Sequence, residues 1–198
     1  MPEEKQLTSQ ESLELITRMI NKAKQDYIET GVSALLWGAV ITICTLTTYF
    51  NFFYLHSDWL EAIWSLTLIA LVPQVIISRK ERKLRKAKGR DDDAMGGIWL
   101  SYAISITLLS ILDWQFRLQL PACVYMVLYG IPTFSTGYAR NFKPMLYGGV
   151  AAWIMAILSR VTSWHYAMLW MAGSAQVAWF IPGLILRKRY LKAKKNNV

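Results

Sequence analysis

The chain has 198 residues, 54% of them apolar, with nine tryptophans and a formal net charge of +9. Apolar residues in that proportion, gathered into blocks, exclude an ordinary water-soluble domain and indicate an integral membrane protein. The charge does not indicate nucleic acid: Lys and Arg stand beside the ends of apolar blocks, no aromatic or glycine-rich reader motif accompanies them, and no nucleic-acid partner is expected.

Residues 1–31 read as a cytoplasmic amphipathic helix. Thr8 and Glu11 form a capping-box pattern. Leu13, Ile16, Ile20, Ala23 and Tyr27 then recur at spacings of three and four, with charged residues on the other faces. The stripe must cover the membrane surface, the cytoplasmic face of a bundle, or the same helix of another chain. No basic stub, apolar stretch and small-residue cleavage site opens the sequence, so the first span is expected to act as its own targeting signal.

Six mostly apolar segments follow in residues 32–186, each long enough as a helix for a ~30 Å hydrocarbon core: 32–54, 59–77, 97–114, 118–138, 144–161 and 164–186. They lack the period-two alternation of barrel strands, so the expected fold is all-α, a six-helix transmembrane bundle. Three times an apolar residue and a proline, Val72-Pro73, Ile131-Pro132 and Ile181-Pro182, precede a basic group. Short turns with Trp59, Trp114 and Trp164 at their edges separate the members of each pair. These marks predict three parallel two-helix hairpin repeats related by rotation about the membrane normal. Alternate loops hold twenty of the 22 Lys and Arg, which places both termini in the cytoplasm, with 187–198 as a basic tail.

An enzyme or ion-coupled carrier in lipid usually keeps an ionisable side chain at depth, because a charge there is costly. The middle of every segment lacks one, so no catalytic residue, cofactor or metal is expected. Gln176 near the centre of the last segment and Gln74 beside Pro73 need hydrogen-bond partners, which Thr42, Thr45 and Ser105 could supply. The same five residues are the candidate polar path of a carrier. His56, Asp58, Glu61 and His165 gather near the outer turns, either as solvated turn residues or as a proton sensor, without a metal-ligand spacing. Pro73, Pro132 and Pro182 are expected to kink their helices. Arg79, Lys80, Arg82, Lys83, Arg187, Lys188 and Arg189 are topology signals and candidate contacts for anionic lipid headgroups. Cys44 and Cys123 are expected to be reduced thiols.

From about Leu13 to Arg187 the chain resembles a group of small six-span bacterial membrane proteins. The marks are the amphipathic leader followed by Leu36-Trp37-Gly38, and Trp179-Phe180-Ile181-Pro182-Gly183 before a basic tail. In its repeated two-helix units it is also loosely similar to acid-resistance membrane proteins built of three short hairpins. The resemblance implies a bacterial inner-membrane location and a pseudo-threefold bundle, and brings no catalytic residue or ligand. The expected role is non-enzymatic, through contacts of leader and tail with membrane lipids, a cytoplasmic or membrane protein, or a second copy. The alternatives are a small solute carrier or channel past Gln176, and envelope stress or acid sensing at the outer face.

Overall fold

The computed structural model describes residues 30–84 and 90–196, with residues 8, 10, 13 and 14 before them. The predicted leader helix therefore lies almost wholly outside the described residues. Of its stripe only Leu13 is described, and it is exposed.

The described chain is all-α. Helix α1, Val32–Phe50, runs on through a π-turn at Asn51–Leu55. A 3-10 segment, Asp58–Trp64, leads into α2, Ser65–Leu84. Helix α3 is Arg90–Phe116, α4 is Ala122–Ala139 and α5 is Lys143–Val161. Helix α6 is one rod made of Ala167–Ala175, a π-turn at Gln176–Phe180, and Ile181–Asn196.

Local chemistry explains the turns. After α1 the chain reverses at His56, which takes a left-handed conformation with φ 49°. Asn51 closes this turn by accepting from the Ser57 N–H at 2.9 Å and donating to the Ser57 carbonyl at 3.0 Å. Helix α4 starts behind Pro121, whose extended backbone stops any continuation from α3. It ends at a tight turn through Asn141, φ 51°, where the Phe142 N–H reaches back to the Gly137 carbonyl at 2.8 Å.

Side-chain contacts fix how the helices run. Along α1, Gly31, Gly38 and Thr42 meet Gly183, Phe180 and Gln176 of α6, so the two are antiparallel. Likewise Trp37 and Thr48 of α1 meet Gln74 and Trp64 of the second hairpin arm. Trp99 of α3 meets Thr136 of α4, and Gly149 of α5 meets Phe134 of α4. The chain thus goes up and down six times. One end gathers Arg79, Lys80, Arg82, Lys83, Lys143, Arg187, Lys188 and Arg189, while the described Lys and Arg of the opposite end are Arg117 and Arg160.

Five of the helices are long and apolar enough to cross a membrane: Val32–Leu55, Asp58–Lys83, Ala94–Phe116, Lys143–Val161 and Ala167–Lys195. The sequence predicts six segments, and the remaining one is α4. Its eighteen residues span about 27 Å at 1.5 Å per residue, but it carries three tyrosines, two threonines, a serine and two glycines. The packing gives the reason. Tyr129, Gly130, Pro132, Thr133, Thr136 and Gly137 are all buried against neighbours. A helix wrapped in protein can carry polar groups that a lipid-facing helix cannot.

The core is formed by Met126 and Tyr129 of α4, Ala152 and Ala156 of α5, and Met171, Ala178 and Trp179 of α6. Helix α2 packs on α1, and α3 packs on α4. These two are wings: only 6% of each span is buried, against 44% for α6.

Candidate functional site

Close helix approach comes first, because it sets where polar side chains can meet. A Cβ on Gly38 would stand 2.8 Å from the Phe180 backbone nitrogen, and one on Gly149 the same distance from that of Phe134. A Cβ on Gly148 would stand 2.6 Å from the Val177 carbonyl. Only glycine allows backbones this close. At the basic end Gly31, with φ 72°, sits against the Gly183 carbonyl and the Arg187 amide, so its conformation and its space both require glycine.

Within this frame the buried polar groups pair across helices. Gln176 donates from Nε2 to Thr42 Oγ1 at 2.6 Å, and Thr42 in turn donates to its own Gly38 carbonyl at 2.7 Å. The fully buried Tyr129 hydroxyl donates to Ser174 Oγ at 2.6 Å. The Trp179 indole donates to Thr133 Oγ1 at 2.8 Å while its ring packs 4.8 Å from that of Tyr129. Gln74 is a hub: it accepts from Trp37 Nε1 at 3.1 Å and donates to Ser33 at 3.2 Å and Ser78 at 3.1 Å. Farther toward the basic end the Thr30 hydroxyl donates to the Glu81 carboxylate. Among the described residues no buried side-chain nitrogen or oxygen lacks a hydrogen-bond partner.

The five residues of the predicted polar path do not form one line. Thr42 joins Gln176 on the α6-facing side of α1, and the buried Thr45 hydroxyl donates to the Ile41 carbonyl of its own helix at 2.8 Å. Gln74 meets the α2-facing side of α1, through Trp37 and Ser33. Ser105 is exposed on α3 and joins neither group. Pro73 and Pro132 lie inside uninterrupted helices. Pro182 stands two residues beyond the π-turn of α6 and is fully buried, as is Pro132.

At the end away from the basic groups, His56, Asp58 and Glu61 are exposed. His165 is half-buried, its Nδ1 2.8 Å from Ser163 Oγ and its ring 5.6 Å from that of Phe53. No group of three or more His, Cys, Asp or Glu able to hold a metal ion occurs among the described residues. Trp59 and Trp114, at 75% and 80% exposure, project outward from this end. At the basic end Arg79, Lys80, Arg82, Lys83, Lys188 and Arg189 are exposed. Arg187 lies over the Tyr190 ring of its own helix at 5.5 Å, and Arg189 lies over the Phe142 ring at 5.1 Å, a cation–π contact that holds its guanidinium group near the turn between α4 and α5. Cys44 is buried and Cys123 half-buried, and both are free thiols.

Sequence reasoning missed the indoles. Trp37, Trp99 and Trp179 each donate to a polar side chain of another helix. The signal was present, since a tryptophan buried away from the membrane interface needs an acceptor for its N–H.

No family model, no curated protein and no solved structure matches the chain.

Proposed function

We propose that the chain is a non-enzymatic protein of the bacterial inner membrane that works through contacts. In this reading three parallel hairpins stand with both termini in the cytoplasm. Residues 1–31 form an amphipathic leader helix, and leader and basic tail are offered to membrane lipids and to a cytoplasmic or membrane protein partner or second copy. The observation that carries it is the use of the interior polar groups. Gln176, Gln74, Tyr129 and Trp179 each make a hydrogen bond to a side chain of a neighbouring helix, as polar residues do when they join helices in lipid. Met126, Tyr129 and Trp179 fill the space between α1, α4 and α6, which favours contact over passage of a solute. The clustering of basic residues at one end supports the orientation. The sequence resemblance supports the bacterial location.

The test is amine crosslinking of the full chain in its native membrane, where Lys22 and Lys24 lie on the leader. The expected result is a discrete crosslinked product that disappears when Ile16→Glu and Ile20→Glu break the apolar stripe, while the protein stays in the membrane fraction. A product unchanged by both substitutions, or none at all, would reject the role of the leader.

A further inference from the structure

The start of α1 stands between two helices that outrun it. The Thr30 hydroxyl accepts from the Val32 N–H at 3.3 Å and donates to the Glu81 carboxylate of α2. A Cβ on Gly31 would stand 2.9 Å from the Arg187 amide nitrogen of α6. Helix α2 runs on from Glu81 to Leu84, whereas α6 runs on from Arg187 to Asn196. That extension of α6 holds Arg187, Lys188, Arg189, Lys192, Lys194 and Lys195 and no carboxylate. Lys188, Lys192, Lys194 and Lys195 are exposed, while Arg189 lies over the Phe142 ring.

Chain continuity decides what is tethered beside these cations. Residues 1–29 carry six carboxylates against four Lys and Arg, in a chain of net charge +9. Two of the six, Asp26 and Glu29, stand just before Thr30 in the sequence. At no more than ~3.6 Å per residue, the backbone of Asp26 is held within about 15 Å of Thr30. At 1.5 Å per residue, Lys188 and Lys192 lie within about 8 Å of Arg187 along the axis of α6. Opposite charges confined to one such region attract across a Debye length of ~8 Å. The covalent junction supplies the effective concentration that weak exposed pairs need. The remaining carboxylates of the basic end stand elsewhere: Glu81 is engaged by Thr30, and Asp91, Asp92 and Asp93 open α3, which packs on α4. Set against the eight Lys and Arg of residues 79–90, these four leave their own segment basic.

We propose that the segment leading into Thr30 docks in cis on the extension of α6, with Asp26 and Glu29 against Lys188 and Lys192. Leu13, farther along the leader, is exposed, so the contact is one of charge near the junction and not of the apolar stripe. A second copy or an anionic membrane surface answers the charge of the extension but not the tether. Leader and tail then act as one unit, which deepens the proposed function and rests on it for what that unit contacts.

The experiment is a proximity crosslink in the purified full chain in mixed micelles, with Cys44→Ala and Cys123→Ala as background and Gln25→Cys and Ala193→Cys as reporters for a short bismaleimide. A linked product of single-chain mass is expected, and its yield falls roughly fivefold or more between about 0.01 M and about 1 M salt, as the Debye length shrinks from about 30 Å to about 3 Å. At low salt, Asp26→Asn with Glu29→Gln and Lys188→Gln with Lys192→Gln each lower the yield by a similar factor. The charge swap, Asp26→Lys and Glu29→Lys with Lys188→Glu and Lys192→Glu, restores it. Neutralising Asp91, Asp92 and Asp93 to Asn leaves it unchanged. No link, a yield indifferent to salt and to both charge pairs, a yield governed instead by the three aspartates, or a product of two-chain mass would overturn the proposal. The purified chain meets no partner, so failure here leaves the crosslinked product expected in the native membrane standing, and absence of that product leaves this link standing.

Discussion

Gln176 shows what a single polar residue does at the centre of this bundle. Its amide reaches Thr42, 134 residues away in sequence, at 2.6 Å. An interhelical bond of this kind is worth about 1 kcal/mol. Gln176→Leu and Thr42→Val are therefore each expected to cost about 1 kcal/mol in reversible unfolding from mixed micelles, and the double variant less than the sum, because both remove one bond. Strict additivity would show that the pair does not interact. Glycines set a sharper contrast. Gly38→Ala drives a methyl group to 2.8 Å from the Phe180 backbone, and overpacking of this sort costs roughly 1 to 3 kcal/mol. Gly96→Ala meets open space and gains up to about 1 kcal/mol of helix propensity. Equal effects in the same unfolding assay would contradict the packing described for α1 and α6.

At the scale of elements, the contrast between α4 and the two wings is the main finding. Apolarity alone ranks α2 and α3 among the clear spans and leaves α4 out, yet α4 contributes Ala122, Met126 and Tyr129 to the core. The helical membrane class was legible in the sequence because lipid-facing blocks must be continuously apolar. The order of packing was not, because hydropathy measures what a helix can face and not what it faces. Thr42 could be named beforehand as a partner for Gln176, since amides at depth need one. Ser33 could not be paired with Gln74 without knowing how α1 and α2 align, whereas Ser78 stands one turn along the same helix. The π-turn at Gln176–Phe180, which lies between Gly173 and Pro182 and puts Trp179 onto Thr133, left no mark in the residue spacing. The wings are held by few ties: α2 by Trp37, Ser33, Thr48 and Thr30, and α3 by Thr136 and by the Asp113 carboxylate that accepts from Tyr125 at 2.9 Å. Elements with few buried contacts open first. Hydrogen exchange in detergent is expected to reach the backbone amides of α2 and α3 well before those of α4 and α5, and simultaneous exchange would argue for one cooperative unit.

For the whole molecule the decisive asymmetry is charge. The contacts of α1 with α2 and α6, and of α6 with the turn between α4 and α5, bring Glu81, Arg187, Arg189 and Phe142 to one end. His56 and the turn at Ser163 and His165 stand at the other, joined by the ring of Phe53. Lys and Arg near span ends are retained on the cytoplasmic side during insertion. The exposed Lys188 and the exposed His56 therefore report opposite faces. In a chain with Cys44→Ala and Cys123→Ala, an impermeant maleimide added to intact spheroplasts should label His56→Cys and spare Lys188→Cys. Permeabilised membranes should label both. Labelling of Lys188→Cys alone in intact spheroplasts would invert the bundle. Equal labelling of both from outside would show a mixed insertion, which twenty of 22 basic residues in alternate loops argue against.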